Sequence, residues 1–327
     1  MTWSKLSYNL FRAVKPRLAY EEFSLRYYSM PRRALMYVPG DDPKKIQKSF
    51  TIDVDCIALD CEDGVAANKK TEARELIHSF LNKEKPKRDR DYDLGVRINS
   101  LDIPIWKEDL KSCLTASHLP DTVLVPKVEC PEDIKLFSEE SGKLLQGDAR
   151  VNLIIYIESA GAFLNIVDIC KMADKLANVG KFLPVSLVFG GDDLYASLGA
   201  IKSEECTEVL YARQKLVLVA KAFKLQAIDM VHIKYKDLEG LKAQCEQGMK
   251  MGYTGKQVIH PGQVPVVQES FLPTATQIEW ATGLLESFKK HQKEGKGAFT
   301  YRGSMIDMPT MRQAENIVKL AQLKKYQ

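Results

Sequence analysis

Eight times between residues 34 and 259, a short apolar run gives way to a polar break and then to a helical pattern. The runs are Ala34–Val38, Cys56–Leu59, Leu94–Ile98, Val123–Val125, Leu153–Ile157, Val185–Phe189, Leu225–Ile228 and Gln257–Ile259. They are rich in Val, Ile and Leu without strict alternation, as strands buried on both faces are. Helical patterns lie between them, among them 70–81, 132–140, 204–223 and 238–249. Asp42-Pro43 and Cys130-Pro131 put proline where a first helical turn accepts it. Eight such units, spaced by about 30 residues, fill the ~250 residues of a (β/α)8 barrel. The rival, an open doubly wound sheet, normally uses fewer strands and often a Gly-rich phosphate turn. No G-x-G-x-x-G or Walker motif is present. The predicted fold is α/β: a (β/α)8 TIM barrel over residues 34–272 with a C-terminal helical and hairpin extension over 273–327.

The remaining segment, 1–33, holds the excess positive charge. Lys5, Arg12, Lys15, Arg17, Arg26, Arg32 and Arg33 face only Glu21 and Glu22, so a chain of net charge +4 has a nearly neutral body. The first twenty residues lack acids, and Trp3, Leu6, Leu10 and Val14 fall near one helical face. That is the pattern of a mitochondrial transit peptide, and it places the protein in the mitochondrial matrix. A frayed basic N-terminus is the alternative. Seven scattered cysteines, odd in number and without a C-x-x-C pair, argue for a reducing compartment. No apolar run approaches the ~20 residues of a membrane span. A nucleic-acid binder is expected to carry a basic stripe on its folded body. Neither a membrane nor a nucleic-acid partner is expected.

Polar residues cluster just after the apolar runs: Pro39-Gly40; Asp60, Glu62 and Asp63; Arg97; Lys127 and Glu129; Glu158; Asp192 and Asp193; Asp229; His260. In a parallel barrel these strand ends form one face, where active sites are built.

Glu158 and Asp193 follow separate strands, so the two carboxylates can share a hard cation at that rim. Magnesium suits such a pair, because it takes one or two carboxylates and keeps open positions. Helix capping is the alternative for each. Arg97 can clamp a carboxylate or stabilise an enolate oxygen, or it can pair with the Asp60–Asp63 cluster. Lys127 reads as a cation in the site, as a Schiff-base lysine of a metal-independent aldolase, or as a rim salt bridge. Lys44 and Lys48, one turn apart, can meet a polyphosphate or simply form a solvated face, and Tyr37 offers a ring or hydroxyl to a ligand. His260, closing the eighth run, can contact ligand or be structural.

Past Pro273, Thr276 can cap a helix with an apolar face, Gly295-Lys296-Gly297 breaks it, and 298–306 read as a hairpin or extended segment. About 55 residues are too few for a generous core of their own, so the appendage must pack on the barrel or on a neighbouring subunit. Asp307 is either a base delivered by a lid or the cap of the last helix, ahead of Pro309.

Taken in order, YVPGDDPKK, LDCEDGVAANKKTEAR, GVRIN, LVPKVE, IYIES, VFGGDDL, GKQVIHPGQ and GAFTYRGSMIDMP resemble the citrate lyase β-subunit / malyl-CoA lyase group of the HpcH/HpaI aldolase superfamily. The resemblance runs from about residue 32 to the C-terminus. It implies a Mg2+-dependent carbon–carbon lyase of acyl-CoA thioesters that splits citramalyl-CoA into acetyl-CoA and pyruvate. In the joining direction it implies addition of acetyl-CoA or propionyl-CoA to glyoxylate. By motif, Glu158 and Asp193 are implied as metal ligands, Arg97 as the residue facing the reacting carbonyl or enolate, and Asp307 as the acid/base. Tyr37, Lys44, Lys48, Ile259 and His260 are implied as the CoA-thioester contacts. A homotrimer is also implied, with the C-terminal segment closing over a neighbour's site. After Glu158 this chain reads Ser159-Ala160-Gly161-Ala162, where relatives often carry Thr and a slightly displaced glycine, a difference that bears on the α-keto acid pocket. A non-catalytic CoA-thioester-binding subunit is the remaining alternative.

Overall fold

A computed structural model describes residues 30–293 and 299–322. The transit-peptide reading therefore falls, for residues 1–29, outside the described residues. Eight parallel strands close into a barrel in sequence order: β1 (Ala34–Pro39), β2 (Cys56–Asp60), β3 (Asp93–Arg97), β4 (Thr122–Val125), β5 (Val151–Ile157), β6 (Phe182–Phe189), β7 (Gln226–Asp229) and β8 (Gly255–Val258). Strand β8 returns to β1, pairing Lys256 with Ala34 and Val258 with Met36. Alternate side chains fill the inside, where Leu35, Cys56, Ala58, Leu124, Ile154 and Tyr156 form a buried cluster. The opposite faces of the strands pack under the helices in a larger second core. In β6 the register skips at Val185, a bulge that turns both Val185 and Val188 into the barrel.

The helices of the outer layer are α1 (Pro43–Ser49), α2 (Lys70–Leu81), α3 (Trp106–Leu114), α4 (Pro131–Leu144), α5 (Ala160–Ala177), α6 (Gly191–Leu198), α7 (Leu210–Ala222), α8 (Leu238–Met251) and α9 (Val264–Ser270). Several begin with a side chain that satisfies the free amides of the first turn. Asp42 accepts from the Lys44 and Lys45 amides at 3.1 and 3.0 Å, with Pro43 at the first position of α1. Ser159 does the same for Ala162 at the head of α5, at 3.0 Å. The helix read as 204–223 begins later, at Leu210, after a 3-10 turn over Thr207–Val209.

The strands' N-terminal ends carry an ion network that the sequence pattern did not show. Arg32 pairs with Asp93, which also accepts from the Thr122 hydroxyl at 2.7 Å. Arg33 grips Asp55 through two bonds of 2.9 Å, and Arg90 joins the same carboxylate. Gly255 is forced by this packing, since a Cβ there would lie 2.0 Å from the Arg32 carbonyl. The folded body therefore starts before residue 34: Arg32 and Arg33, assigned to the leader by composition, are buried parts of the barrel floor.

Beyond the barrel lie α10 (Ala275–Lys293), the antiparallel hairpin β9 (Phe299–Tyr301) and β10 (Ser304–Ile306), and α11 (Met308–Gln322). Their own small core contains Ala281, Leu284, Ile306, Met311 and Ala314. Asn316 and Leu320 of α11 border a cleft of about 310 Å3 together with Arg32, Arg33 and Gln226, on the floor side of the barrel. Among the described residues, no helix is long and apolar enough to cross a membrane.

Candidate active site

Strand β5 ends at Ile157 and delivers Glu158 to the barrel mouth, where the residue is only 5 % exposed. Strand β6 ends one residue before Gly190, and Asp193 follows in the first turn of α6, half-exposed. Both carboxylates line one cleft of about 440 Å3, shared with Ser100, Asp102, Lys127 and Ser197. Among the described residues, no hydrogen bond or ion pair engages the Glu158 carboxylate. Burial pushes its pKa up to about 8, and the charges of Asp193 and Glu62 add to the rise. Burial also raises Asp193, against the pull of Lys127.

Arg97 leaves the end of β3 and meets Asp60, at the end of neighbouring β2, through bonds of 2.7 and 2.6 Å. A third nitrogen lies 2.8 Å from Glu62, and the guanidinium stacks 4.4 Å from the centroid of the Tyr37 ring. Asp60 is itself fixed by the amides of Glu62 and Gly64, both at 2.9 Å. The pairing with the Asp60–Asp63 cluster weighed from sequence is thus present, through Asp60 and Glu62. Tyr37 is half-buried on the inner face of β1, its hydroxyl bonded at 2.7 Å to both Tyr156 and Gln257. The geometry groups Tyr37 with Arg97 rather than with the lysines of α1.

Lys127 lies 2.7 Å from Glu62, 3.4 Å from Asp63 and 4.0 Å from Asp193. Burial pulls its pKa down, but the Glu62 contact and the neighbouring acids hold it above the usual lysine range. A lysine kept protonated is a poor Schiff-base nucleophile. Its backbone φ is +50°, left-handed for a long side chain. Such strain gathers at functional sites.

Lys44 and Lys48 are exposed on α1, and no ion pair engages either among the described residues. Ile259 is 44 % exposed just past β8. Next to it, His260 accepts from the Gly262 amide at 3.1 Å and packs on Tyr235, ring centroids 4.9 Å apart. Asp307 accepts from the amide and hydroxyl of Thr310 at 3.0 and 2.7 Å, so it caps α11. It does not line the mouth cleft of its own chain.

Asp229 belongs elsewhere. Placed on the catalytic face by its position after an apolar run, it is fully buried and paired with Arg213 of α7, with Lys256 at 3.6 Å. Sequence reasoning also missed Gly190, Tyr156, Gln257 and the bridging role of Glu62. Only Glu62 had a visible signal, its place in the acidic run after β2.

The donor set suits a hard divalent cation. Five carboxylates (Asp60, Glu62, Asp63, Glu158 and Asp193) gather around Arg97 and Lys127, with the Lys70 ammonium on the Cys61 and Glu62 carbonyls nearby. No group of three or more His, Cys, Asp or Glu side chains converges on one point among the described residues. Glu158 and Asp193 line the cleft together, and two carboxylates are a number magnesium commonly accepts from protein.

The signature of the HpcH/HpaI aldolase/citrate lyase family matches residues 33–261. The chain belongs to this family. It is 49 % identical to the human mitochondrial citramalyl-CoA lyase over 94 % of this chain and 90 % of that protein. The mouse mitochondrial citramalyl-CoA lyase gives the same identity and coverage. Among solved structures, CitE from Mycobacterium tuberculosis, in complex with magnesium, acetoacetate and coenzyme A, superposes with a TM-score of 0.71 at 26 % identity. That match covers 89 % of this chain and 98 % of CitE. The mitochondrial names of the mammalian relatives agree with the address read from the N-terminus.

Proposed function

We propose that the chain is a mitochondrial Mg2+-dependent lyase that splits (3S)-citramalyl-CoA into acetyl-CoA and pyruvate. In the joining direction it adds acetyl-CoA or propionyl-CoA to glyoxylate, a malate synthase and β-methylmalate synthase activity. The observation that carries this reading is the buried Glu158 carboxylate, without a partner among the described residues, beside Asp193 in an acidic mouth. Ionised and buried without a partner, such a group is costly. A divalent cation offsets that cost. The names of the mammalian relatives and the ligands of CitE supply the substrate class.

Glu158 and Asp193 would hold the magnesium. When bound, it supplies Lewis acidity to the hydroxyl, carboxylate or keto oxygens of the substrate. Cleavage removes the hydroxyl proton, sends the electrons of the carbon–carbon bond into the thioester as an enolate, and returns a proton to carbon. Arg97 faces the developing enolate oxygen, where one preorganised donor can contribute about 3 kcal/mol. Asp60 and Glu62 lock its orientation. Lys44 and Lys48 meet the phosphates of CoA, while Tyr37, Ile259 and His260 flank the thioester arm.

Asp307 moves the proton, as a carboxylate within hydrogen-bond reach can. Its own chain keeps it on a unit that packs toward the barrel floor, so it serves the mouth of a neighbouring copy in a homotrimer. Large apolar side chains left exposed fit a face covered by another copy: Leu164 on α5, Tyr211 and Leu218 on α7, and Ile201 between α6 and α7.

The test is direct. Purified protein is incubated with citramalyl-CoA and Mg2+, and thioesters are followed by mass spectrometry. Acetyl-CoA should appear with pyruvate and vanish with EDTA. Turnover that survives EDTA and is trapped by borohydride would instead establish imine chemistry at Lys127.

A further inference from the structure

Among the described residues, Lys127 is the one cation in ion-pair range of a proposed metal ligand. Its ammonium is shared among three acids: Glu62 at 2.7 Å, Asp63 at 3.4 Å and Asp193 at 4.0 Å. Glu62 depends on it. That side chain is 4 % exposed, and among the described residues neither of its oxygens meets hydrogen-bond geometry, so the ionic contacts with Lys127 and Arg97 are what offset its charge there. Arg97 is committed to Asp60 as well, through two bonds. The backbone at Lys127 is held at φ +50° while its side chain lines the cleft beside Glu158 and Asp193. Held there, the ammonium shares the cleft with the two carboxylates that would take a divalent cation.

We propose that Lys127 is a built-in counter-ion of the acidic mouth, competing with the divalent cation for the carboxylates and keeping that cation exchangeable. The inference rests on Glu158 and Asp193 being the metal ligands. Its physical basis is Coulombic. A single positive charge a few ångströms from a doubly charged ion opposes its binding, and the same charge screens the attraction of Glu62 and Asp63 for it. The ammonium is partly solvent-exposed, so the effect is moderated by water. Without Lys127 the acids at the mouth would be less neutralised, and the cation would sit in a deeper potential.

The measurement is Mg2+ binding, by isothermal titration calorimetry of the full-length chelated protein without substrate. Lys127→Met should bind Mg2+ about tenfold more tightly than wild type, and Lys127→Arg, which keeps the charge, within about twofold of it. Lys127→Gln serves as a second neutral variant if the methionine variant misfolds, and should behave like it. Equal or weaker binding in the neutral variants would overturn the proposal, as would an arginine variant as tight as they are. Failure of the metal reading is distinguishable, because the wild-type protein would then give no saturable Mg2+ binding.

Discussion

Gly190 and Glu158 share a space that only one side chain can occupy. A Cβ on Gly190 would stand 2.3 Å from Cγ of Glu158 and 2.7 Å from its Cδ. The glycine has φ −82°, which any residue adopts, so room rather than backbone freedom requires it. The end of β6 is thus cut back to let the carboxylate of β5 lie across it. Gly190→Ala should fold, displace Glu158 and reduce turnover by about a hundredfold, the scale of a misplacement near 1 Å. Steady-state kinetics alongside circular dichroism would check this, and unchanged turnover would show that the carboxylate need not lie there.

Removing either proposed metal ligand should separate folding from metal response. Wild-type protein should gain about 2.7 kcal/mol of stability at Mg2+ a hundredfold above its Kd, as binding to the folded state alone requires. Glu158→Gln and Asp193→Asn should lose that gain and all Mg2+-dependent turnover while keeping their secondary structure. Urea titrations with and without Mg2+ read the first effect, and the mass-spectrometric assay reads the second.

Asp307 and the mouth it serves should belong to different subunits. Glu158→Gln and Asp307→Asn, each inactive alone, should complement when unfolded together and refolded as mixed trimers. Even mixing around a three-fold axis leaves about a quarter of the sites intact. Recovery near that level is expected, and no recovery would place Asp307 and Glu158 in one chain's site.

The Arg213–Asp229 pair should matter to stability rather than chemistry. Both side chains are fully buried, bonded at 2.7 and 3.2 Å, with Gln247 and Lys256 alongside. Arg213→Met leaves a buried aspartate without its arginine and should cost about 3–5 kcal/mol in urea unfolding. Mg2+ affinity per folded molecule should not change.

Asp229 also shows where the sequence stopped being legible. The strands were readable because a parallel barrel demands apolar residues on both faces, and all eight runs overlap observed strands. Position along a strand was therefore plain, and it gathered Glu158, Asp193, Arg97 and Lys127 at one end. Direction across the strand was not. An acid after an apolar run turns into the mouth, as Glu158 does, or outward under a helix, as Asp229 does toward Arg213. That choice is made by a partner far along the chain. The floor network of Arg32, Arg33, Asp55, Asp93 and Arg90 was hidden for the same reason, and composition alone assigned its two arginines to a leader. Gly190 was unreadable because its role is a distance to a side chain 32 positions earlier.

The most direct measurement is the position of the cation itself. Mn2+ can stand in for Mg2+ in crystals of this protein and be located by its anomalous scattering. The expected result is a single peak in the barrel mouth, about 2.1 Å from carboxylate oxygens of both Glu158 and Asp193. A mouth without a peak at saturating Mn2+, or a peak bound away from either residue, would contradict the account.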